Sequence, residues 1–253
     1  MPRSRMIGSA LNFGGLGSAG GGVQSWEQYI TSLAPLAWYR QMQTSGTNEP
    51  NLGSVGAAAN MTITSTTLGQ TGKLGANNAY LYDGAASRLQ TANNATLAGL
   101  LAFEYVFLIN PSSAGEGGFG AFAFWANNFN PAFFFNGALT SVGGRVGNSG
   151  ANFSTTTTSG FAADTWGLLF VAYNDAGDRK LHFYKGVSGA VSEFGYGAQP
   201  ALTGTYNVPT LQLNVGNNAG QSQTFAGLMD EAIIFSGNLT PAQRTQLTLL
   251  AGV

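Results

Sequence analysis

The chain has 253 residues, with 10 Lys and Arg against 11 Asp and Glu and a formal net charge of −1. Only 8% of residues are charged, against roughly 25% in an ordinary domain, while 44% are hydrophobic and 37 are glycine. The neutral balance argues against nucleic acid as a principal partner. The lack of cysteine excludes a disulfide framework, a thiolate metal site and a cysteine nucleophile, and no stretch approaches the ~18 apolar residues of a membrane span.

A surface built from Ser, Thr, Asn, Gln and Gly repels itself weakly, which favours association into an assembly. The absence of disulfides leans towards a bacterial or viral source. The opening MPRSRMIGSALNFGG is basic but lacks the apolar run of a signal peptide, so none is expected. Residues 1–24 form a separate unit, too rich in glycine to bury a core of their own. Arg3, Arg5, Met6, Ile7, Leu11 and Phe13 are sparse anchors along it. A pure linker has little use for them, so the segment reads as an extended docking arm.

A domain is expected over residues 25–253. Ser25 stands as the N-cap of a short helix with Gln28 as its capping-box partner. Trp26, Tyr29, Ile30 and Leu33 recur at helical spacing, and Pro35 stops the helix. Phe103, Tyr105, Phe107 and Ile109 alternate with Glu104, Val106 and Leu108 up to Pro111, which is a strand. Gly118 to Trp125 and Ala132 to Phe135 read as short aromatic strands, with Asn136-Gly137 as a hairpin turn. Trp166 to Tyr173 is nearly continuous in apolar residues, as expected where both faces are covered. Asn174 to Asp178 turns the chain, Lys180 to Tyr184 returns it, and Leu211 to Gly216 adds a further strand.

The end of the chain is the most articulate part. A strand from about Phe225 to Phe235 places Phe225, Gly227, Met229, Glu231, Ile233 and Phe235 on one face by simple alternation. The adjacent Asp230 and Glu231 then point to opposite faces. Thr240 follows as an N-cap, with Pro241 at the first helical position and Gln243 closing a capping box. Leu247 and Leu250 dock this helix, and Gly252 ends it. Many short strands separated by Gly and Asn turns make a β sandwich on physical grounds alone.

Three strings carry a more specific likeness. PLAWYRQMQTSGT at residues 35–47, AYLYDG at 79–84 and FAGLMDEAIIF followed by LTPAQ at 225–243 resemble the opening, an internal segment and the closing signature of laminin-G-like, concanavalin A-type jelly rolls. The hairpin from Trp166 to Gly186 is similar to theirs as well. The resemblance spans roughly residues 25–251. It implies an all-β jelly-roll sandwich with short peripheral helices behind the extended N-terminal arm, of the kind found in bacteriophage structural proteins. It also implies two possible ligands, glycans and calcium.

The residues constrain those implications. Glucanases on this fold carry E-x-D-x-x-E on one strand face, where paired carboxylates act as acid and nucleophile. None of the six glutamates begins that pattern, so no enzyme is expected. His182 is the single histidine and reads as a solvent-facing strand residue. No cofactor is required, and calcium would have to use Asp83, Asp175, Asp178 and Asp230 with Asn77, Asn78, Asn217 and Asn218. The competing use of these aspartates is ordinary turn chemistry. Exposed aromatics beside amides suit a sugar, and Trp125, Asn127, Asn128 and Phe129 have that mixture, as do Phe194 and Tyr196; the competing use is core or interface packing.

Two functional classes follow. One is a non-enzymatic structural subunit on the surface of a tailed-phage virion, in the capsid decoration, a fibre or the tail. Its arm would meet other virion proteins, its copies would form a homo-oligomer with a trimer as first expectation, and its domain would touch glycans. The other is a free bacterial lectin-like carbohydrate-binding module.

Overall fold

The computed structural model describes residues 24–112, 122–124, 132–136, 139–146, 153–206, 212–217 and 225–253. The anchors of the expected arm, from Arg3 to Phe13, lie outside them. In chain order the elements begin with α1 (Trp26–Ser32), β1 (Ala37–Tyr39), β2 (Asn48–Glu49), β3 (Met61–Thr64), β4 (Thr67–Gln70), β5 (Ala79–Asp83) and β6 (Arg88–Asn93). Helix α2 (Ala95–Ala98) leads to β7 (Ala102–Pro111), β8 (Phe122–Phe124), β9 (Ala132–Asn136), β10 (Ser141–Arg145) and β11 (Phe153–Thr156). The rest is β12 (Gly167–Asn174), β13 (His182–Val187), β14 (Ala190–Glu193), β15 (Tyr196–Ala198), β16 (Gln212–Val215), β17 (Ala226–Phe235) and α3 (Pro241–Ala251).

Two antiparallel sheets stack face to face. The first runs β14-β13-β12-β7-β17-β5-β4, with β1 pairing the C-terminal half of β17; the second runs β15-β11-β10-β9-β8-β16-β6-β3-β2. The interior between them takes one side of the alternation on β7 (Phe103, Tyr105, Phe107, Ile109) and on β12 (Leu169, Val171, Tyr173). These meet Phe133, Phe135, Leu213 and Val215 of the second sheet. Tyr105 and Phe133 cross edge to face at 5.2 Å, a geometry aromatic quadrupoles favour.

The other side of β7 and β12 is also covered. Val106, Leu108, Leu168 and Phe170 form an outer layer beneath Trp26 and Ile30 of α1 and Leu247 and Ala251 of α3. Both faces of β12 are therefore dry, as its unbroken apolar run requires. The two helices form where their caps predict. Ser25 and Gln28 exchange reciprocal hydrogen bonds at 2.9 and 3.3 Å, and Thr240 and Gln243 do the same at 2.7 and 3.2 Å. Gly252 closes α3 in the left-handed conformation at φ 67°, the C-terminal arrangement that suits a residue without Cβ.

Strand β17 departs from simple alternation. Its register against β7 shifts between Met229 and Glu231, a β-bulge that inserts one extra residue. Phe225 and Met229 face the interior as expected, but beyond the bulge Ala232 and Ile234 take that side. Ile233 and Phe235 lie in the outer layer instead. The expectation of one continuous face from Phe225 to Phe235 fails at Asp230. The expectation that Asp230 and Glu231 point apart fails with it. Glu231 reaches the indoles of Trp26 and Trp38, and Asp230 reaches the backbone of Leu74, which packs on that same outer layer.

Candidate functional site

The acids of the outer layer are buried and engaged. Glu231 is 1% exposed and accepts from Trp26 Nε1 at 3.2 Å and Trp38 Nε1 at 2.5 Å, with Arg40 Nε 3.5 Å away. Burial pushes its carboxyl well above the usual carboxylate range, and the neighbouring Asp230 adds to that, against the two indoles and Arg40. Burial also raises Asp230, to about 7, against the backbone N–H donors of Leu74 and Lys73. Its Oδ1 is buried without a hydrogen-bond partner among the described residues. Glu104, on the outward side of β7, receives Arg244 of α3 in a two-pronged pair at 2.7 and 2.7 Å and the N–H of Leu239 at 2.8 Å. The Arg244 guanidinium also stacks over Tyr184 at 4.0 Å.

Each terminal helix is thus pinned to the sheet by one acid: α1 to Glu231 through Trp26, and α3 to Glu104 through Arg244. A third acid, Glu49, accepts from Tyr80 Oη and from the N–H of Gln41 at one edge of the interior. Glycoside hydrolysis requires two carboxyl groups facing each other across an open cleft. These three glutamates are at most 1% exposed and saturated with donors, so the arrangement serves as fastening.

The aspartates considered for calcium are dispersed over separate tasks. Asp83 Oδ1 accepts the N–H groups of Ala85, Ala86 and Ser87 at 2.8 to 3.0 Å, closing the β5–β6 turn. Burial nudges its carboxyl up, but those backbone donors hold it below the usual value overall. Asp175 accepts from Tyr173 Oη and Arg179 Nε in the β12–β13 turn. Asp178 faces His182 Nε2 at 2.9 Å, and Asp230 sits in the bulge. Among the described residues no group of three His, Asp or Glu side chains converges in a metal-binding arrangement.

His182 lies on the outer side of β13, opposite Leu181 and Phe183, which enter the interior. It is more engaged than a solvent-facing residue would be. Nδ1 meets Glu193 at 2.7 Å and Nε2 meets Asp178 at 2.9 Å, so both ring nitrogens face a carboxylate. The hairpin brings Glu193 alongside, which local reading of β13 could not show.

Of the aromatic candidates, Trp125, Asn127, Asn128 and Phe129 lie outside the described residues. Phe194 is buried in the interior. Tyr196 is half-buried, donates to Glu193 and accepts the N–H of Phe183. Both therefore take the packing role rather than the sugar-binding one.

The structure brings forward a different aromatic. A cleft of about 360 Å³ opens at one end of the first sheet, lined by Lys73, Asp164, Thr165, Trp166, Val187 and Ser188 beside the end of α3. Trp166 is half-buried against the outer layer, and its indole has no hydrogen-bond partner among the described residues. Asp164, Thr165, Ser188 and Lys73 are exposed around it. Asp164 is held at φ 56°, with its N–H on the Pro111 carbonyl at 2.8 Å. Ser188 turns the β13–β14 hairpin at φ 53°. The size lies at the small end for a ligand site, and the mixture of an aromatic body with convergent polar groups is the usual composition of one. In sequence Trp166 reads as part of the apolar strand, although β12 begins only at Gly167. The exposed pair Asp164-Thr165 before it was the available signal.

No family model matches the sequence, and no curated protein matches it. Solved structures are similar in fold. Domain 4 of AbnA, a GH43 extracellular arabinanase from Geobacillus stearothermophilus in complex with arabinotriose, is 17% identical, with a TM-score of 0.58 over 85% of this chain and 98% of that one. The receptor-binding domain of botulinum neurotoxin C/D mosaic serotype is 9% identical, with a TM-score of 0.61 over 85% of this chain and 51% of its own. Trypanosoma rangeli sialidase in complex with 2,3-difluorosialic acid is 10% identical, with a TM-score of 0.61 over 88% of this chain and 37% of its own. At these identities the likeness is one of fold, and it agrees with the topology: the chain is an all-β, concanavalin A-like jelly-roll sandwich with short peripheral helices.

Proposed function

We propose that this protein is a carbohydrate-binding β-sandwich that acts without catalysis. The observation that carries the reading is the Trp166 cleft, where an accessible indole is ringed by Asp164, Thr165, Ser188 and Lys73. An indole covers the C–H face of a sugar ring while the flanking groups meet its hydroxyls. The similar structures include a domain in complex with arabinotriose and a sialidase in complex with a sialic acid derivative, which supports the same direction. The engagement of Glu49, Glu104 and Glu231 in internal bonds supports binding over hydrolysis. A glycan array probed with the full chain tests it: binding to at least one glycan, lost in Trp166→Ala and unaccompanied by release of reducing sugar, is expected. A blank array with and without calcium refutes the reading, and glycan cleavage refutes its non-catalytic part.

A second layer concerns where the domain is displayed. The composition of residues 1–24, glycine-rich with Arg3, Arg5, Met6, Ile7, Leu11 and Phe13 as anchors, supports an arm that joins the domain to other proteins of a tailed-phage virion, in a homo-oligomer such as a trimer. An arm adds interface area without a core of its own. Removing residues 1–24 is expected to leave the remaining domain folded while abolishing its incorporation into particles. Normal incorporation of the truncated chain contradicts the arm.

A further inference from the structure

We infer that the Trp166 cleft is built for neutral saccharides and discriminates against acidic ones; this rests on the glycan-binding reading above and names its ligand class. The charges around the indole carry the inference. Lys73, the one cation among the described residues lining the cleft, runs its side chain along the C-cap of α3, with Cε 3.6 Å from where a Cβ on Gly252 would lie. There its ammonium, with Nζ 4.0 Å from that point, lies at the negative end of a helix of 11 residues, which offsets part of its charge. Asp164 lines the same cleft with a carboxylate, exposed and with no side-chain hydrogen bond among the described residues.

An acidic sugar entering this cleft meets the Asp164 carboxylate, with a cation whose charge the end of α3 partly offsets. Like charges disfavour it. A neutral sugar meets complementary groups throughout. The Asp164 carboxylate can accept from two hydroxyls, because an ionised carboxylate offers two oxygens and no donor. Ser188 Oγ forms no hydrogen bond among the described residues and can donate or accept. Thr165 Oγ1 donates to the Ala163 carbonyl at 3.3 Å, which orients its lone pairs outward as an acceptor. The indole Nε1–H remains available as a donor, and the ring face takes the apolar side of the sugar.

The test uses the full chain against paired neoglycoproteins that carry the same oligosaccharide with and without a terminal sialic or uronic acid. The neutral member of each pair is expected to bind at least tenfold more tightly. Asp164→Asn is expected to weaken neutral binding by roughly tenfold, and Asp164→Lys to reverse the preference. Asp164 is exposed but held at φ 56°, which Asn adopts readily and Lys does not. Asp164→Asn should therefore keep the parent melting temperature and Asp164→Lys should lower it slightly while staying folded; both are measured alongside. Equal or tighter binding of acidic members overturns the inference while leaving glycan binding intact. Binding that is indifferent to Trp166→Ala and Asp164→Asn overturns this cleft as the site. A chain that binds no member of any pair overturns both this inference and the reading beneath it.

Discussion

Replacing Arg244 with methionine should be among the most damaging single changes on the surface of the first sheet. Glu104 is fully buried and holds Arg244 through two bonds of 2.7 Å, so removing the cation leaves a carboxylate in a dry layer. Breaking a buried pair from one side costs about 3–5 kcal/mol. For a chain of this size each kcal/mol moves the midpoint by roughly 2–4 °C, so a loss of roughly 6–20 °C is expected. Adding Glu104→Gln removes the stranded charge and keeps an acceptor for the Leu239 N–H, which sits 2.8 Å from Glu104 Oε2. The double variant should therefore recover at least half of the loss. Urea denaturation of parent, single and double variants at pH 7 reads all three. If Arg244→Met loses less than about 1 kcal/mol, or the double variant is no more stable than the single, then the pair does not fasten α3 as argued.

Three further outcomes follow from the same geometry. Asp230 has a folded pKa raised to about 7 by burial, so between the ordinary carboxylate range and pH 7 the folded state holds a proton that the unfolded chain has lost. Stability should accordingly fall as pH rises from 4 to 7, with a contribution from this group of a few kcal/mol in order of magnitude. Thermal melts across that range should fall less steeply in Asp230→Asn, the remaining slope belonging to buried carboxyls such as Glu231, and an unchanged slope would contradict the assignment. Trp38→Phe removes the 2.5 Å donor to Glu231 and should cost about 1–3 kcal/mol in chemical denaturation, whereas a neutral effect would mean that Glu231 finds other donors. Gly216→Ala adds a Cβ 2.2 Å from the Tyr82 ring at φ +87°, so both overpacking and a left-handed backbone oppose it, and a loss of about 3 kcal/mol or more is expected; a variant as stable as the parent refutes the close approach.

The sequence by itself determined the local elements and the fold class. Ser25 with Gln28 and Thr240 with Gln243 specify both terminal helices because capping is a contact between residues three apart. The alternation on β7 and the unbroken apolar run of β12 specify which faces are dry, since side chains on a strand have period two. What depended on partners distant in sequence was decided only by the tertiary structure. The bulge at Asp230 exists in the pairing of β17 with β7, and it alone turned two adjacent acids towards one layer. Glu104 meets Arg244 across 140 residues, and Trp26 meets Glu231 across 205, separations at which no periodicity carries information. Trp166 became the floor of a cleft for the same reason: Lys73, Asp164 and Ser188 come from three separate loops, and only the packing of the first sheet against α3 sets them around one indole.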